Sequence, residues 1–262
     1  MDTTWLIPGS VVLFLGIGRI QSLRRTQGGS ARIVRNGMMG LLTYSTQKIL
    51  SVPMVLFAAE WILEQGWDFY EPLLEVSLWI RVPLGLLAAD ALLYVWHRLN
   101  HRVPFLYRFH RVHHSDDSMD ATTAVRFHPG EFLLSTGVSI LQAAVVGPQR
   151  EVWLLYELLV SVLVVFHHSE WRLPLRLEQY LHYLIVTPRS HTLHHSVEIR
   201  EQDANFGTIF SFWDRLLSTQ VDFSTRTDGA QSVRLGVEEP PRETLMSLLL
   251  SPFLVRLKKD PL

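Results

Sequence analysis

Eight of the twelve histidines in this 262-residue chain fall into three short clusters, one H-x-x-x-H pair and two H-x-x-H-H triplets. The clusters are His97 and His101; His110, His113 and His114; and His191, His194 and His195. Side chains three or four residues apart lie on one face of a helix, and imidazole is the commonest metal ligand. The spacing therefore predicts that each cluster aims several nitrogens at one point.

The number of clustered histidines indicates more than one metal ion. A lone histidine on a helix is usually an ordinary surface or core residue, so no single one of them carries this inference. Eight of them in three repeated spacings favour a metal site over a chance solvated cluster. Because a tetrahedral zinc ion takes only four ligands, two metal ions are the natural interpretation.

The composition limits the chemistry of such a site and its partners. The chain is 48% hydrophobic, has a net charge of -1 and contains no cysteine. Disulfides, thiolate zinc sites and cysteine-ligated iron–sulfur clusters are therefore excluded, and any metal must be bound through nitrogen and oxygen. Near-neutral charge without a long basic run excludes nucleic acid as an expected partner. The length suits one domain with a large core.

Apolar segments long enough to enter a membrane flank the histidine clusters. We predict a membrane anchor at Trp5–Ile20, spans at Met38–Leu63 and Leu73–Trp96, and a helical hairpin formed by Phe132–Gly147 and Val152–Phe166. The turn of the hairpin is marked by Pro148 and a short polar break. The predicted fold is an all-α integral membrane protein with about four membrane-embedded helices and a helical cap that holds a histidine-rich di-metal site.

The charges between these segments predict the orientation in the membrane. Five arginines lie between Arg19 and Arg35 with no acidic residue among them, whereas Glu64, Asp68 and Glu71 lie in the next loop. By the positive-inside rule the arginine segment is cytoplasmic, and every histidine cluster then falls on the same side. Short loops without a targeting signal favour a multi-pass protein of a bacterial inner membrane, with the endoplasmic reticulum as the alternative location.

The whole chain is expected to form a single membrane domain with three parts. Residues 1–89 carry the N-terminal membrane helices, residues 90–222 form the histidine-rich core, and residues 223–262 form an irregular segment and an amphipathic helix. That last helix is predicted at Arg242–Leu257 and is followed by Lys258 and Lys259. Two placements remain open for it, along the membrane surface or packed against the cap.

Two further polar residues stand out by their position. Asp90 lies two helical turns before His97 on nearly the same face, so it either orients that ligand as a hydrogen-bond acceptor or packs against a neighbouring helix. His128 directly precedes Pro129, and a residue before proline is biased away from helix, so we expect His128 on a turn.

Seven motifs, in order, carry a resemblance to a known family. They are HRLNH, HRVHH, RFHPGE, FHHSE, TPRSHTLHH, NFG and WDRLLST, between about Asp90 and Thr219. This series resembles the fatty acid hydroxylase and sterol desaturase superfamily of membrane enzymes. The resemblance implies two metal ions, generally iron, a histidine-rich ligand set, and the use of O2 to attack unactivated C–H bonds of lipids.

The resemblance also assigns expected roles to single residues. The eight clustered histidines match the ligand positions of the family, and His128 and one of the pair His167 and His168 match further histidines of many members. His168 is favoured because it precedes Ser169, as in the H-[ST]-N of the family, and His167 remains possible. Asn205 and Asp214 match residues that either hydrogen-bond the ligands or cap helices.

Three positions depart from the family pattern. Glu170 stands where many relatives have asparagine, Phe206 stands in place of tyrosine in NYG, and LLST replaces LFGT. The first change is expected to alter the polarity near the metals, and the other two are expected to be tolerated in the cap. None of them removes a ligand.

The expected function is a membrane-bound, di-iron, O2-dependent oxidation of a lipid, sterol-like or isoprenoid substrate. Hydroxylation is the leading interpretation, with desaturation or ether-lipid cleavage as alternatives. A membrane metal transporter is a distant alternative, because transporters place ligands near the bilayer midplane, whereas these histidines follow the ends of apolar segments. A zinc hydrolase would normally show H-E-x-x-H, which is absent.

Such an enzyme needs two electrons per turnover. The chain has no cysteine cluster, no credible nucleotide-binding loop and no obvious haem domain, which implies a separate donor of the reductase, ferredoxin or cytochrome type. Arg24 and Arg25 are candidates for docking an acidic donor on the cytoplasmic side.

Overall fold

The computed structural model describes residues 5–24, 29–67, 70–225 and 232–255. Within these ranges the regular structure is helical, and extended backbone pairs only in three isolated β-bridges. The α-helices are α1 (Leu6–Ile20), α2 (Ser30–Thr46), α3 (Val52–Glu64), α4 (Glu71–Leu74), α5 (Leu78–Arg102), α6 (Pro104–His114), α7 (Pro129–Val146), α8 (Arg150–His168), α9 (Leu175–Leu181), α10 (Pro188–His194), α11 (Ile199–Gln202), α12 (Phe212–Leu216) and α13 (Leu245–Leu254). The predicted all-α fold is confirmed.

Four of the described helices are long and apolar enough to cross a membrane. The first is a continuous helix of 35 residues, Ser30–Glu64, in which a π-helical turn at Gln47–Ser51 joins α2 to α3. The others are α5, α7 and α8, with 25, 18 and 19 residues. No more than a third of the apolar stretch of any of them is buried inside the protein, so their outer faces are free to contact lipid. This agrees with the predicted integral membrane protein.

The predicted N-terminal anchor is an apolar helix, but it is too short to count among the four. α1 has 15 residues, about 22 Å of helix, against a hydrocarbon core of roughly 30 Å. It packs along α8, and the ring of Phe14 lies 5.8 Å from that of Phe166 and 6.2 Å from that of Trp171. α1 is therefore part of the helical core instead of standing apart from it.

The third predicted span is displaced toward the histidines. α5 begins at Leu78 instead of Leu73, because the preceding residues form the short helix α4. It ends at Arg102 instead of Trp96, since no helix-breaking residue intervenes before Pro104. The extension places His97 and His101 on the same helix as the membrane span.

The predicted hairpin forms through a tight turn between α7 and α8. Gly147 adopts φ +69°, and a Cβ at this position would collide with the ring of Tyr70. Only glycine combines this left-handed backbone with the absence of a side chain. Its carbonyl accepts a 2.7 Å hydrogen bond from the indole of Trp153, which fixes the start of α8.

α5 packs against both arms of the hairpin around Leu86, Ala89, Val146 and Val152, all buried. Gly85 allows the closest approach, because a Cβ there would lie 2.9 Å from a methyl of Val152. This contact sets the distance between the two helices that carry histidines at their ends, α5 and α8.

Two arginines of the N-terminal segment, Arg24 and Arg32, form ion pairs with carboxylates inside the protein. Arg24 forms an ion pair with Glu170, and its backbone N–H donates to the same carboxylate at 2.8 Å. Arg32 bridges Asp116 and Asp120, which follow the first histidine triplet. The guanidinium of Arg24 is therefore committed to Glu170 and is not available as the expected docking group for an electron donor. Arg25 lies outside the described residues.

The C-terminal helix is shorter than predicted, Leu245–Leu254 instead of Arg242–Leu257, and Thr244 caps it by accepting the N–H of Ser247 at 3.2 Å. Leu248 on its inner face is fully buried against α2 and α6. Lys258 and Lys259 lie outside the described residues. One face of α13 thus packs against α2 and α6 instead of the cap, and Met246 and Phe253 remain exposed on the other face.

Candidate metal centre

Nine histidine side chains converge in two groups, and one ring nitrogen from each lies within 4.8 Å of the corresponding nitrogens in its group. The five-histidine group consists of His97, His101, His110, His114 and His194, and the four-histidine group of His113, His168, His191 and His195. Eight of the nine are buried, and His97 is half-buried. All eight histidines of the sequence clusters are among the nine, and His168 joins them.

The two H-x-x-H-H triplets each contribute to both groups, but in opposite ways. In α6, His110 and His114 enter the five-histidine group, and His113 enters the four-histidine group. At the end of α10 the assignment is reversed. His191 and His195 enter the four-histidine group, and His194 enters the five-histidine group. Residues i and i+4 share a helix face that residue i+3 does not quite share, so one triplet can serve two ions.

Hydrogen bonds at Nδ1 orient several of these rings. In the five-histidine group, His97 Nδ1 lies 2.8 Å from the carbonyl oxygen of Phe206, and His194 Nδ1 lies 2.7 Å from that of Ala204. In the four-histidine group, His168 Nδ1 lies 2.7 Å from the carbonyl of its own helix at Val164. A carbonyl oxygen has no proton to donate, so these three Nδ1 atoms carry the proton and leave each Nε2 with a free lone pair.

The free lone pairs face one another at short distance. His97 Nε2 and His194 Nε2 are 3.0 Å apart, although both rings carry their proton on Nδ1. Two unprotonated nitrogens cannot share a hydrogen bond, and the arrangement is repulsive unless a cation lies between them. Two nitrogens about 2.1 Å from one ion lie roughly 3.0–3.4 Å apart at octahedral or tetrahedral angles. The donor set therefore fits a bound metal ion.

The same short contacts occur in the four-histidine group. His168 Nε2 lies 3.0 Å from His113 Nε2 and 3.0 Å from His191 Nε2, and His195 Nε2 lies 3.1 Å from His191 Nε2. The nitrogens converge on one point instead of pairing off. This geometry would suit a second metal ion.

Burial keeps these imidazoles in the form that binds metals. It lowers the pKa well below the ordinary histidine value, and the charges of neighbouring histidines lower it further. The affected residues outside the membrane helices are His113, His114, His191, His194 and His195. They are neutral at pH 7, and only a neutral imidazole offers a lone pair to a metal.

Asp90 does not contact His97. Its carboxylate accepts hydrogen bonds from the backbone N–H groups of Ile209 and Phe210 at 3.2 and 3.1 Å and from the indole of Trp213 at 2.9 Å. These contacts join α5 to the segment before α12, as in the packing alternative of the two predicted for this residue.

Asp214 and Asn205 support the loop that orients two ligands. Asp214 accepts the backbone N–H groups of Phe206 and Gly207 at 2.8 and 2.9 Å. Asn205 sits at φ +54°, and its side chain accepts the N–H of Val221 at 2.9 Å. Neither side chain hydrogen-bonds a histidine. They act on the ligands through the backbone carbonyls of the same loop.

His128 lies outside both groups. Its Nδ1 accepts the backbone N–H of Gly130 at 2.9 Å, and its Nε2 lies 3.1 Å from the carbonyl oxygen of Leu249. Both nitrogens are used to cap α7 and hold α13, so the geometry does not support the expected ligand role. The turn predicted before Pro129 is present, and it makes His128 the N-cap of α7.

His167 also lies outside the two groups, although it is buried beside the second. Its ring centre is 4.1 Å from that of His191 and 4.8 Å from that of His168. Of the pair left open by the sequence, the structure places His168 in the four-histidine group and His167 against it.

Three residues near the ligands were not singled out in the sequence. Glu131 lies 2.8 Å from His110 Nδ1, and Asp203 lies 3.4 Å from His101 Nδ1. The ring of Phe127 stacks on that of His113, with centres 4.2 Å apart and planes 6° apart. The sequence could have pointed to Phe127 and Glu131, because both belong to the motif RFHPGE that carries the family resemblance. No motif named above includes Asp203.

Of the departures from the family pattern, Phe206 lies closest to the ligands. Its ring is fully buried, with its centre 5.2 Å from that of His101 and 5.8 Å from those of His97 and His194. Glu170 points instead to Arg24, as described above, so its charge is neutralised by an arginine and not by the histidine groups.

The sequence model described as fatty acid hydroxylase matches residues 82–219, more than half of the chain. The chain belongs to the fatty acid hydroxylase family. The matched region of the family includes both histidine groups and the loop that orients them.

Curated relatives agree with this family. Ornithine lipid hydroxylase of Rhizobium tropici is 31% identical over 142 residues, which cover 53% of this chain and 41% of the relative. Cholesterol 25-hydroxylase of Rattus norvegicus is 33% identical over 143 residues, 53% of this chain and 46% of the relative. Alkylglycerol monooxygenase of Caenorhabditis elegans is 26% identical over 179 residues, 64% of this chain and 32% of the relative.

The aligned part of this chain thus spans less than half the length of these relatives. No solved structure is significantly similar to the chain.

Proposed function

We propose that this protein is a membrane-bound lipid hydroxylase that depends on O2 and on two iron ions, one in each histidine group. The observation that carries the proposal is the pair of unprotonated nitrogens of His97 and His194, which face each other at 3.0 Å. Membership of the fatty acid hydroxylase family and relatives named as lipid and sterol hydroxylases support the reaction class.

Iron fits the five-histidine group better than zinc does. The first group offers five imidazoles, one more than a four-coordinate zinc site takes, and imidazole is a good ligand for iron. When bound, iron supplies the activation of O2 and the oxidation of a C–H bond. The protein orients several of the rings by hydrogen bonds at Nδ1. Burial favours the neutral imidazole and excludes bulk water.

A lipid substrate fits the position of the groups. His97 and His101 lie at the end of α5, and His168 ends α8, so the ligands begin where two membrane-spanning helices end. A lipid can reach this level from the bilayer without crossing water. Ornithine lipid hydroxylase and cholesterol 25-hydroxylase are named for substrates of this class, and we propose a lipid or sterol-like molecule here as well.

Hydroxylation is favoured over the alternatives by the names of the relatives. Ether-lipid cleavage remains the second candidate, supported by the similarity to alkylglycerol monooxygenase. We further propose that the histidine groups face the cytoplasm of a bacterial inner membrane, where a separate electron donor supplies the two electrons.

The first test is the metal content of the full chain purified in detergent after iron-replete expression. We expect about two irons per chain. The double variant His113→Ala/His194→Ala removes one ligand from each group and should lose both. His182→Ala is the matched control, because His182 is buried but belongs to neither group, and it should retain iron.

The second test compares lipid extracts from cells with the wild-type protein and with the double variant. An added oxygen atom on a lipid, present only with wild type and only in air, is the expected result. Full activity without oxygen, or iron that survives in the double variant, would contradict the proposal.

A further inference from the structure

Glu131 is a buried carboxylate in the first turn of α7 that touches one of the metal-binding rings. Its side chain is 6% exposed, and its Oε1 lies 2.8 Å from His110 Nδ1. The other oxygen, Oε2, is buried without a hydrogen-bond partner. A carboxylate left half-satisfied in the interior is costly, and in this protein it needs an explanation.

Among the described residues, no arginine or lysine forms an ion pair with this carboxylate. Among the ion pairs of the described residues, Glu131 appears only with His110, whereas the nearby Arg126 is paired with Glu243. None of these ion pairs places an arginine or lysine against the carboxylate to compensate its charge. A divalent cation bound by the five-histidine group would do so, because it would lie on the far side of the His110 ring.

The two histidine groups differ in this respect. The two histidine–carboxylate pairs within the described ranges, His110 with Glu131 and His101 with Asp203, both belong to the five-histidine group. In the four-histidine group the Nδ1 of His168 is held by a neutral carbonyl instead. From this asymmetry we expect the two groups to differ in their affinity for a cation.

We propose that Glu131 is a positioning residue that raises the affinity of the five-histidine group for a divalent metal. By accepting the Nδ1–H of His110 it keeps Nε2 unprotonated and aimed at the ion, and its charge makes the imidazole a stronger donor. This inference rests on the proposed function and deepens it, because it gives a role to a carboxylate that hydrogen-bonds a histidine of one group, whereas His168 of the other group is held at Nδ1 by a backbone carbonyl.

A purely structural role makes a different prediction. Glu131 lies in the first turn of α7, where a negative charge stabilises the helix N-terminus. Losing that stabilisation would lower the unfolding temperature and would affect both histidine groups alike. A selective effect on one group distinguishes the two roles.

The test is a Co²⁺ titration of the metal-free full chain in detergent, followed by the ligand-field absorbance of bound cobalt. Wild type should show two classes of binding. Glu131→Gln keeps the size of the side chain and removes its charge, and it should weaken one class by about 10- to 100-fold and leave the other unchanged.

The weakened class can be assigned with His168→Ala, which removes a ligand of the four-histidine group. In the His168→Ala protein, the class of cobalt binding that remains should belong to the five-histidine group. Adding Glu131→Gln should weaken this remaining class. Glu131→Asp keeps the charge in the first turn but withdraws it from His110, so it should weaken the same class by a smaller factor. Glu170→Gln, a buried carboxylate that pairs with Arg24, is the matched control and should shift neither class.

The outcomes separate the two proposals. Unchanged cobalt binding in both Glu131 variants, or an equal weakening of both classes, would overturn the role of Glu131. A wild-type protein that binds no cobalt would overturn the proposed metal sites themselves, and the inference with them.

Discussion

At the scale of single residues, backbone carbonyls orient two of the ligands. The carbonyls of Ala204 and Phe206 hold His194 and His97 in the tautomer that leaves Nε2 free. Because these carbonyls lie in a loop braced by Asp214, a residue that hydrogen-bonds no histidine influences two ligands.

Asp214→Asn tests this indirect control. In this variant an NH2 group replaces one of the two carboxylate oxygens and faces the backbone N–H of Phe206 or Gly207. Because both groups are donors, one buried hydrogen bond is lost. We expect a loss of about 1–3 kcal/mol in stability, together with a lower iron content.

Thermal unfolding in detergent and elemental analysis measure the two effects of Asp214→Asn. Asp222→Asn is the control, because that exposed carboxylate accepts its hydrogen bonds from Ser224 in the same surface loop. Wild-type stability and iron in Asp214→Asn would show that the loop does not need this brace.

The depressed histidine pKa values predict how stability depends on pH. The pKa of His191 is held well below that of an unfolded chain, about 6.5, mainly by burial. The unfolded state therefore binds more protons below about pH 6.5, so the contribution is fully present above that pH and is lost as the pH falls toward the folded value. His182, whose pKa burial lowers to about 4, acts in the same direction.

We expect the metal-free protein to lose stability from pH 7 to pH 5, by up to about 1.4 kcal/mol per pH unit for each such histidine. Chemical denaturation across this range measures the slope. In His191→Gln, stability should depend less steeply on pH than in wild type. Glutamine does not titrate, so the unfolded state no longer binds an extra proton at this position. An identical slope in the two proteins would contradict the assignment.

At the scale of elements, the centre depends on how closely α5 and α8 approach. These two helices carry His97, His101 and His168 at their ends, and their contact is set by Gly85 against Val152. A side chain at position 85 would push the helices apart and move ligands of both groups.

Gly85→Ala is therefore expected to destabilise the protein by about 1–3 kcal/mol and to lower its iron content. Adding Val152→Ala, which removes the methyls that the new Cβ would meet, should restore part of the loss. Gly137→Ala is the matched control, because nothing lies within 4 Å of a Cβ there. Thermal midpoints and metal analysis compare the variants, and equal behaviour of the two glycine variants would refute the close-approach argument.

At the scale of the whole molecule, the ligands come from four helices spread between residues 97 and 195. Bound ions would therefore tie α5, α6, α8 and the end of α10 together. Without ions, the converging lone pairs repel one another, so the metal-free protein should be the less stable form.

Stripping the metals with a chelator should lower the thermal midpoint, and adding back Fe²⁺ under anaerobic conditions should restore it. At a free metal concentration of 100 times the dissociation constant, one site stabilises by about 2.7 kcal/mol. The double variant His113→Ala/His194→Ala should no longer respond to either treatment. A wild-type midpoint that is insensitive to metal would contradict the idea that ions join the helices.

Much of this architecture could be predicted from the sequence because its signals are local. Apolar length predicts the number of spans, and the 3.6-residue helical period predicts that His97 with His101 and the two triplets each share a helix face. The turn at His128 follows from Pro129 alone. These features depend on neighbours within a few residues of each position, which is the range that a sequence pattern covers.

Tertiary structure decided the features that depend on distant partners. Whether a triplet residue enters the five- or the four-histidine group follows from which helix packs opposite it, so identical spacings in α6 and α10 have opposite outcomes. Asp90 meets a loop about 120 residues away instead of His97, and His128 meets the carbonyl of Leu249 instead of a metal.

The pairing of Glu131 with His110 depends on tertiary packing in the same way. The Nδ1 atoms of His97, His110 and His194 are held by such hydrogen bonds from outside their own helices, which helical periodicity does not encode. The sequence therefore determined which side chains are suited to bind metals and where the membrane helices lie. Only the folded arrangement decided how those side chains divide into two sites and what holds each ring in place.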